Sequence, residues 1–516
     1  MQRGSKWLVV FVACFGLLAA LAAGVATGGQ SGEKTLIVAT GVDITTTDPQ
    51  AQPTRWDAIV SSNMFDGLLA RNTEMKIVPA LAEKWTVSQD GKTITFTLRK
   101  GVKFQNGEPF DADVVKFSFD RLMRPDYKSQ SQGPFKGILQ EVKVLDPSTV
   151  ALIFSKPNPA ILPYLVTTAG YFFAVPPKYI KEVGEDGFVK KPIGTGPFQF
   201  VQWQKDDRLT LQANPNYWGG KPKVDRLVFR VIPEAGTRVA ALLAGEVHIV
   251  SGLSPDDQPR IDSSNVAGTQ RVQSTRRIYI QWNKDTKALQ DVRVRQAINY
   301  AVDKAAIVKS LLGGNGFPMA SPVISFEFGA NTDLKPYPYD PAKAKALLTQ
   351  AGYGSGLSLT LDSPTGRYTK DKEVAQAVAG YLEKVGIKMS VQVKEWATYM
   401  ADEQNRRLSP LSLLGWGAGG LMDADLALTP FFTKISSRPY SVNFTDPKAE
   451  EMIIAARTEM HSEKRASLYK EANRILHEQA AWLFLYNQAD VYGVSKSVKW
   501  TPRSDEAISG FEASFE

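Results

Sequence analysis

Three histidines, one cysteine and a large stock of carboxylates are the groups that could do chemistry in this chain of 516 residues. His248 lies in Glu246-Val247-His248-Ile249-Val250, a strand-like context, and His461 and His477 lie at or inside helical segments near the C-terminus. None has a second histidine or a carboxylate at a metal-ligand spacing, so neither a protein-built metal centre nor any other cofactor is expected. Gly352-Tyr353-Gly354-Ser355-Gly356 has its serine one position late for a nucleophile elbow. Gly194-Thr195-Gly196-Pro197 carries no lysine to reach a phosphate, and its glycines fit a tight turn. The single cysteine, Cys14, leaves the rest of the chain without a thiol nucleophile or a thiolate ligand. A glycosidase needs only two carboxylates, so a hydrolase of that type stays open as the alternative to a binding function.

The N-terminus reads as an export leader. Arg3 and Lys6 give a basic start, Trp7 to Ala23 is apolar, and small residues follow. A signal peptide over 1–26 is expected, with cleavage between Ala22 and Ala26. An uncleaved anchor and a lipid on Cys14 are the alternatives, but Phe11-Val12-Ala13-Cys14 departs from a lipid-attachment motif and sits inside the apolar run. The formal net charge is +8, and +6 without Arg3 and Lys6; acids and bases are interleaved with no run of five like charges. That balance argues against a nucleic-acid partner. A chain this long buries a sizeable core without disulfides and predicts roughly two to four domains.

Two styles of patterning divide the chain. The first half is rich in hairpins: residues 85–104 alternate apolar and polar on both sides of Asp90-Gly91, and residues 142–154 repeat the pattern around Asp146-Pro147-Ser148. A helix is expected over 61–70, another over 111–123, and strands over 35–40, 208–212 and 226–232. The second half alternates helices and strands, as an α/β unit does. Asp291 and Asp303 open helices, Asp340-Pro341 opens a third, and the 372–385 helix stops at Gly386.

Five segments in order resemble one family, the extracytoplasmic solute-binding proteins of peptide-type ABC importers, family 5. They are WTVSQDGKTITFTLRKGVKFQNGEPFDADVVKFSFDR (85–121), GTGPF (194–198), DVRVRQAINYAVDKAAIV (291–308), YDPAKAKALLTQAGY (339–353) and GWGAGGLMDADLAL (415–428). The resemblance is strongest in pattern to the glutathione- and peptide-binding members. It implies an α/β fold of two lobes around a cleft, with an extra β-rich subdomain in the first lobe. The expected division is 33–60, 185–275 and 490–516 for the first lobe, 61–184 for the extra subdomain, and 276–489 for the second lobe. Strands 277–282 and 481–490 would be the crossings. A peptide or peptide-like solute would be captured by hinge closure and delivered by a monomer to a membrane permease. Sugar or metal-chelate binding is the alternative within this class.

The resemblance also implies site residues. Arg367 matches the arginine that holds a ligand carboxylate in dipeptide-binding relatives, and bidentate pairing suits that task. Tyr368 is its neighbour. Trp416 stands where relatives line the pocket and would stack on a ligand. Where peptide binders keep an acid for the ligand ammonium, this chain has Gly419. Asp423 and Asp425 are the candidates to replace that charge, with helix capping as their other reading. Thr46 and Asn63 match first-lobe segments that face the cleft.

Overall fold

The computed structural model describes residues 33–51, 54–127, 129–417, 420–434 and 446–516. The expected leader through residue 26, Cys14 and Gly419 lie outside them.

A sheet of eleven strands organises the molecule. At its middle lie two long antiparallel strands, Ala267–Trp282 and Leu483–Ser495. One end of this pair continues through Ile249–Val250 into Thr35–Thr40, Arg226–Val231, Arg208–Ala213 and Phe198–Gln204. The other end continues through Leu411–Gly417 into Leu357–Thr365 and Ile387–Glu395. Each half has the parallel pairing that an α/β unit produces: Thr35–Thr40 runs parallel to Arg226–Val231, and Leu357–Thr365 parallel to Ile387–Glu395 across the helix Asp371–Glu383. The long strands exceed the segments expected at 277–282 and 481–490. Polar residues such as Gln270, Arg271 and Gln273 hide the strand period in the sequence, because this stretch is only partly covered.

The ladder between the long strands shifts register twice, between Ile278 and Tyr279 and, nearer the middle, between Gln273 and Arg277. There the Asn487 side-chain amide donates to the carbonyls of Ser274 (2.7 Å) and Arg276 (2.8 Å) in place of ladder bonds. Such a bulge re-aims side chains, and Arg276 lies at it, on the wall of the cavities described below.

The hairpin-rich region forms its own four-stranded antiparallel sheet, Ala82–Val87, Thr93–Leu98, Thr149–Phe154 and Leu139–Asp146, backed by the helix Ala112–Leu122. Gly91 takes a left-handed φ of 69° at the first turn, which explains Asp-Gly there. Its core packs Phe96, Phe119, Phe135, Phe154 and Phe172. Asp291 and Asp303 cap their helices by accepting from the backbone N–H of Arg293 and Ala306.

The helix expected at 61–70 is instead Arg55–Ser61. Thr54 and Asp57 close it with a reciprocal capping box, and the apolar residues after Ser61 enter the core as irregular backbone. Helices Pro177–Lys190, Trp396–Gln404 and Ala424–Phe432 complete the second-layer elements the sequence did not announce.

Candidate functional site

Arg367 is placed by a loop that leaves the C-terminal end of the parallel strand Leu357–Thr365. That is where open α/β sheets hold ligands. The Asp371 carboxylate fixes the loop by accepting from the backbone N–H groups of Gly366 (3.2 Å), Arg367 (2.9 Å) and Tyr368 (3.0 Å). The guanidinium lies over the rings of Tyr368 and Trp396, at 5.3 and 5.2 Å. It makes no salt bridge or side-chain hydrogen bond among the described residues, and it is open to solvent. The protein around it and the neighbouring Arg276 both lower its pKa from the ordinary arginine value. An anion bound there would relieve the repulsion between the two guanidinium groups.

Tyr368 is buried and donates its hydroxyl to the Gly415 carbonyl at 3.1 Å. Trp416 follows on the same strand, donates Nε1–H to the Leu426 carbonyl at 3.0 Å, and meets Phe431 edge-on at 5.1 Å. Arg367, Tyr368, Trp396, Gly415 and Trp416 line one cavity of about 220 Å³, with Arg276 and Glu506 at its other side. A second cavity of about 300 Å³ shares Arg276, Arg367, Tyr368 and Glu506 and extends to Asn315, Gln488 and Asp490. The two form one cleft, divided by those shared side chains.

Gly415 permits this packing. A Cβ there would stand 2.5 Å from Tyr368 Cε1 and 2.8 Å from Ile278 Cδ1. Gly415→Ala is therefore expected to push Tyr368 from its place and to cost about 1–3 kcal/mol, as overpacking does. Chemical denaturation of the variant reads this cost, and a midpoint unchanged from wild type would contradict the contact.

The charged floor of the cleft went unnoticed in the sequence. Glu506 approaches Arg276 at 3.5 Å and Arg55 at 3.9 Å. Burial works against the charge of Arg276, but Glu506 and Asp490 outweigh it and raise its pKa. Asp490 is the opposite case. Burial first, then the nearby Glu506, push its carboxyl from 3.8 up to about 7. The native state thus keeps a proton that the unfolded chain releases above about pH 4. The contribution of Asp490 to stability falls as pH rises from about 4 through about 7, and levels above that. Thermal unfolding across this window is expected to show a steeper decline for the wild type than for Asp490→Asn; equal slopes would remove the shift.

Four of the expected residues sit elsewhere. Asp423 accepts both guanidinium N–H groups of Arg465, at 2.8 and 2.7 Å, and caps the helix Ala424–Phe432. It lies on a separate cavity of about 430 Å³ with apolar walls that include Ile77, Leu162 and Leu421. Asp425 pairs with Arg457 at 3.0 Å and accepts from Thr429 at 2.6 Å. The expectation that these acids replace a ligand-facing charge is not met in this geometry, because each is already committed to a cation. Asn63 is buried, donates to the carbonyls of Ile59 and Ile508 and accepts from the Gly510 N–H, which ties the first helix to the C-terminal segment. Thr46 accepts from the Asp48 N–H in a tight loop. Neither lines the cleft. His248 and His477 are held structurally: His248 accepts from the Ile37 N–H, and His477 contacts the Ala320 carbonyl. No group of metal-ligating side chains occurs among the described residues.

A model of the family described as bacterial extracellular solute-binding proteins, family 5 Middle, matches residues 76–437. The dipeptide-binding protein of Escherichia coli strain K12 is 34% identical over 451 residues, covering 82% of this chain and 83% of that protein. The glutathione-binding protein GsiB of Salmonella paratyphi A is 32% identical over 507 residues, covering 96% and 95%. The solved structure of the ABC transporter-associated periplasmic binding protein DppA from Helicobacter pylori, in complex with the peptide STSA, superposes with a TM-score of 0.78. It is 27% identical, over 93% of this chain and 98% of that one. The fold is therefore the two-lobed α/β arrangement with an added β-rich subdomain that the motifs implied. The chain belongs to family 5 of the bacterial extracellular solute-binding proteins.

Proposed function

We propose that this protein is exported by its leader, captures a peptide or peptide-like solute in the cleft at Arg367, and hands it to the permease of an ABC importer. The observation that carries this reading is the Arg367 guanidinium: fixed by its loop, flanked by two aromatic rings and lacking a carboxylate partner among the described residues. A ligand carboxylate supplies the missing anion in bidentate form. Tyr368 and Trp416 bound the same space and give it an apolar wall. The relatives named for dipeptide and glutathione binding, and the structure solved with STSA, support a peptide-like ligand.

The sheet suggests how capture works. The long strands Ala267–Trp282 and Leu483–Ser495 serve both halves, so the halves close by bending at these strands. In this reading the first lobe comprises 33–60, 185–275 and 490–516, the extra subdomain 61–184, and the second lobe 276–489. The protein acts as a monomer and needs no cofactor for this task.

Native mass spectrometry of the exported protein tests the reading. A retained short peptide, released on denaturation and restored on adding peptides back, is the expected result. Continuous release of hydrolysis products, abolished by a single Asp or Glu substitution, would overturn it.

A further inference from the structure

We propose that the second cavity is a distinct polar subsite that takes the ammonium end of the ligand whose carboxylate Arg367 holds. This rests on the peptide reading above. Asn315 immediately precedes the short strand Gly316–Pro318, which pairs with the strand carrying Gln488 and Asp490, and Gly316 stands directly opposite Gln488. All three side chains line the cavity of about 300 Å³. Asn315 is only 4% exposed, yet neither its Oδ1 nor its Nδ2 has a hydrogen-bond partner among the described residues. Gln488 Oε1 and Asp490 Oδ2 are likewise buried without a partner.

Buried polar atoms in native proteins are paired as a rule, so a convergent set of unpaired ones marks a place where something else completes the pairing. The chemistry of the set is one-sided. Asn315 Oδ1 and Gln488 Oε1 are acceptors, and the Asp490 carboxyl becomes acceptor-only when ionised, the form a bound cation favours; the missing partner must therefore bring N–H donors and positive charge. An ammonium group offers three donors and a positive charge. It suits Asp490, whose other charged neighbours are Glu506, Arg276 and Arg55. Arg276 and Arg55 are already engaged by Glu506, at 3.5 and 3.9 Å. Arg367 belongs to both cavities, so a ligand carboxylate on it leaves the rest of the molecule adjacent to Asn315 and Asp490. The cleft then reads a ligand by both ends: the cationic side chain takes the anion, and the amide–carboxyl set takes the cation.

The test is calorimetry and native mass spectrometry of the exported protein with di-, tri- and tetra-alanine and their N-acetylated forms. The wild type is expected to hold at least one free peptide and to lose roughly 30-fold or more in affinity on acetylation, the scale for truncating one partner of a buried charge pair. Asp490→Asn should weaken the free peptide by a similar factor and abolish the distinction between free and acetylated forms. Asn315→Ala should weaken the free peptide while thermal unfolding stays near that of the wild type. Peptide binding that depends on Arg367 but ignores acetylation, Asp490→Asn and Asn315→Ala would overturn the subsite and leave the peptide reading standing. Failure of the wild type to hold any of these peptides would overturn both.

Discussion

Arg367→Ala is expected to weaken a carboxylate-bearing ligand such as trialanine by about 2–5 kcal/mol, the range for truncating one partner of a desolvated charge pair. The fold should scarcely notice. The guanidinium holds no salt bridge among the described residues, and the loop is fixed by Asp371 acting on backbone N–H groups that alanine keeps. A modest loss of packing over Tyr368 and Trp396 is the only structural change. Arg367→Lys should restore charge but not the planar fork, and so recover only part of the affinity. Calorimetry on the three proteins, beside their thermal midpoints, separates binding from stability. Wild-type affinity in the alanine variant would remove Arg367 from the site.

Asp423→Ala should show the reverse pattern. Arg465 would be left buried without its bidentate partner, and breaking such a pair costs about 3–5 kcal/mol. The helix Ala424–Phe432 would also lose its N-cap, worth about 1 kcal/mol. Affinity for trialanine should stay within a factor of about two, because Asp423 does not reach the cleft. Urea unfolding with calorimetry decides the matter. Lost affinity with unchanged stability would return Asp423 to the site and displace Arg465 as its partner.

The sequence disclosed what is local. The Asp90-Gly91 hairpin, the caps at Asp291 and Asp303, and the alternation of helix and strand after residue 290 all rest on patterns a few residues long, and they recur in the structure. The first helix begins before the apolar run that suggests it: the Thr54–Asp57 capping box starts it at Arg55, and the run after Ser61 packs as irregular core before the short strand Leu69–Arg71. Arg367 and Tyr368 carry a local signal because motif and loop sit together, and the structure places both on one cavity. Glu506, Asp490 and Asn315 carry none. Asn315 lies far in sequence from Asp490 and Glu506, and no spacing rule joins residues that meet only across a folded cleft. Asp371 did carry a signal, an acid at the start of a helix, but its target is the loop before it rather than the helix itself. The pairing of Asp423 and Asp425 is illegible in the sequence for a related reason. Their cations, Arg465 and Arg457, lie more than thirty residues away in sequence and could not be weighed against a ligand.

The interrupted ladder near Arg276 has a mechanical meaning. Between Gln273 and Arg277, one rotatable side-chain amide, that of Asn487, stands in place of backbone pairing. Pairing along the central strands is therefore uneven, with an interrupted stretch beside the charged floor of the cleft. A closure that bends these strands would concentrate there, beside Arg276, which shares both cavities with Arg367.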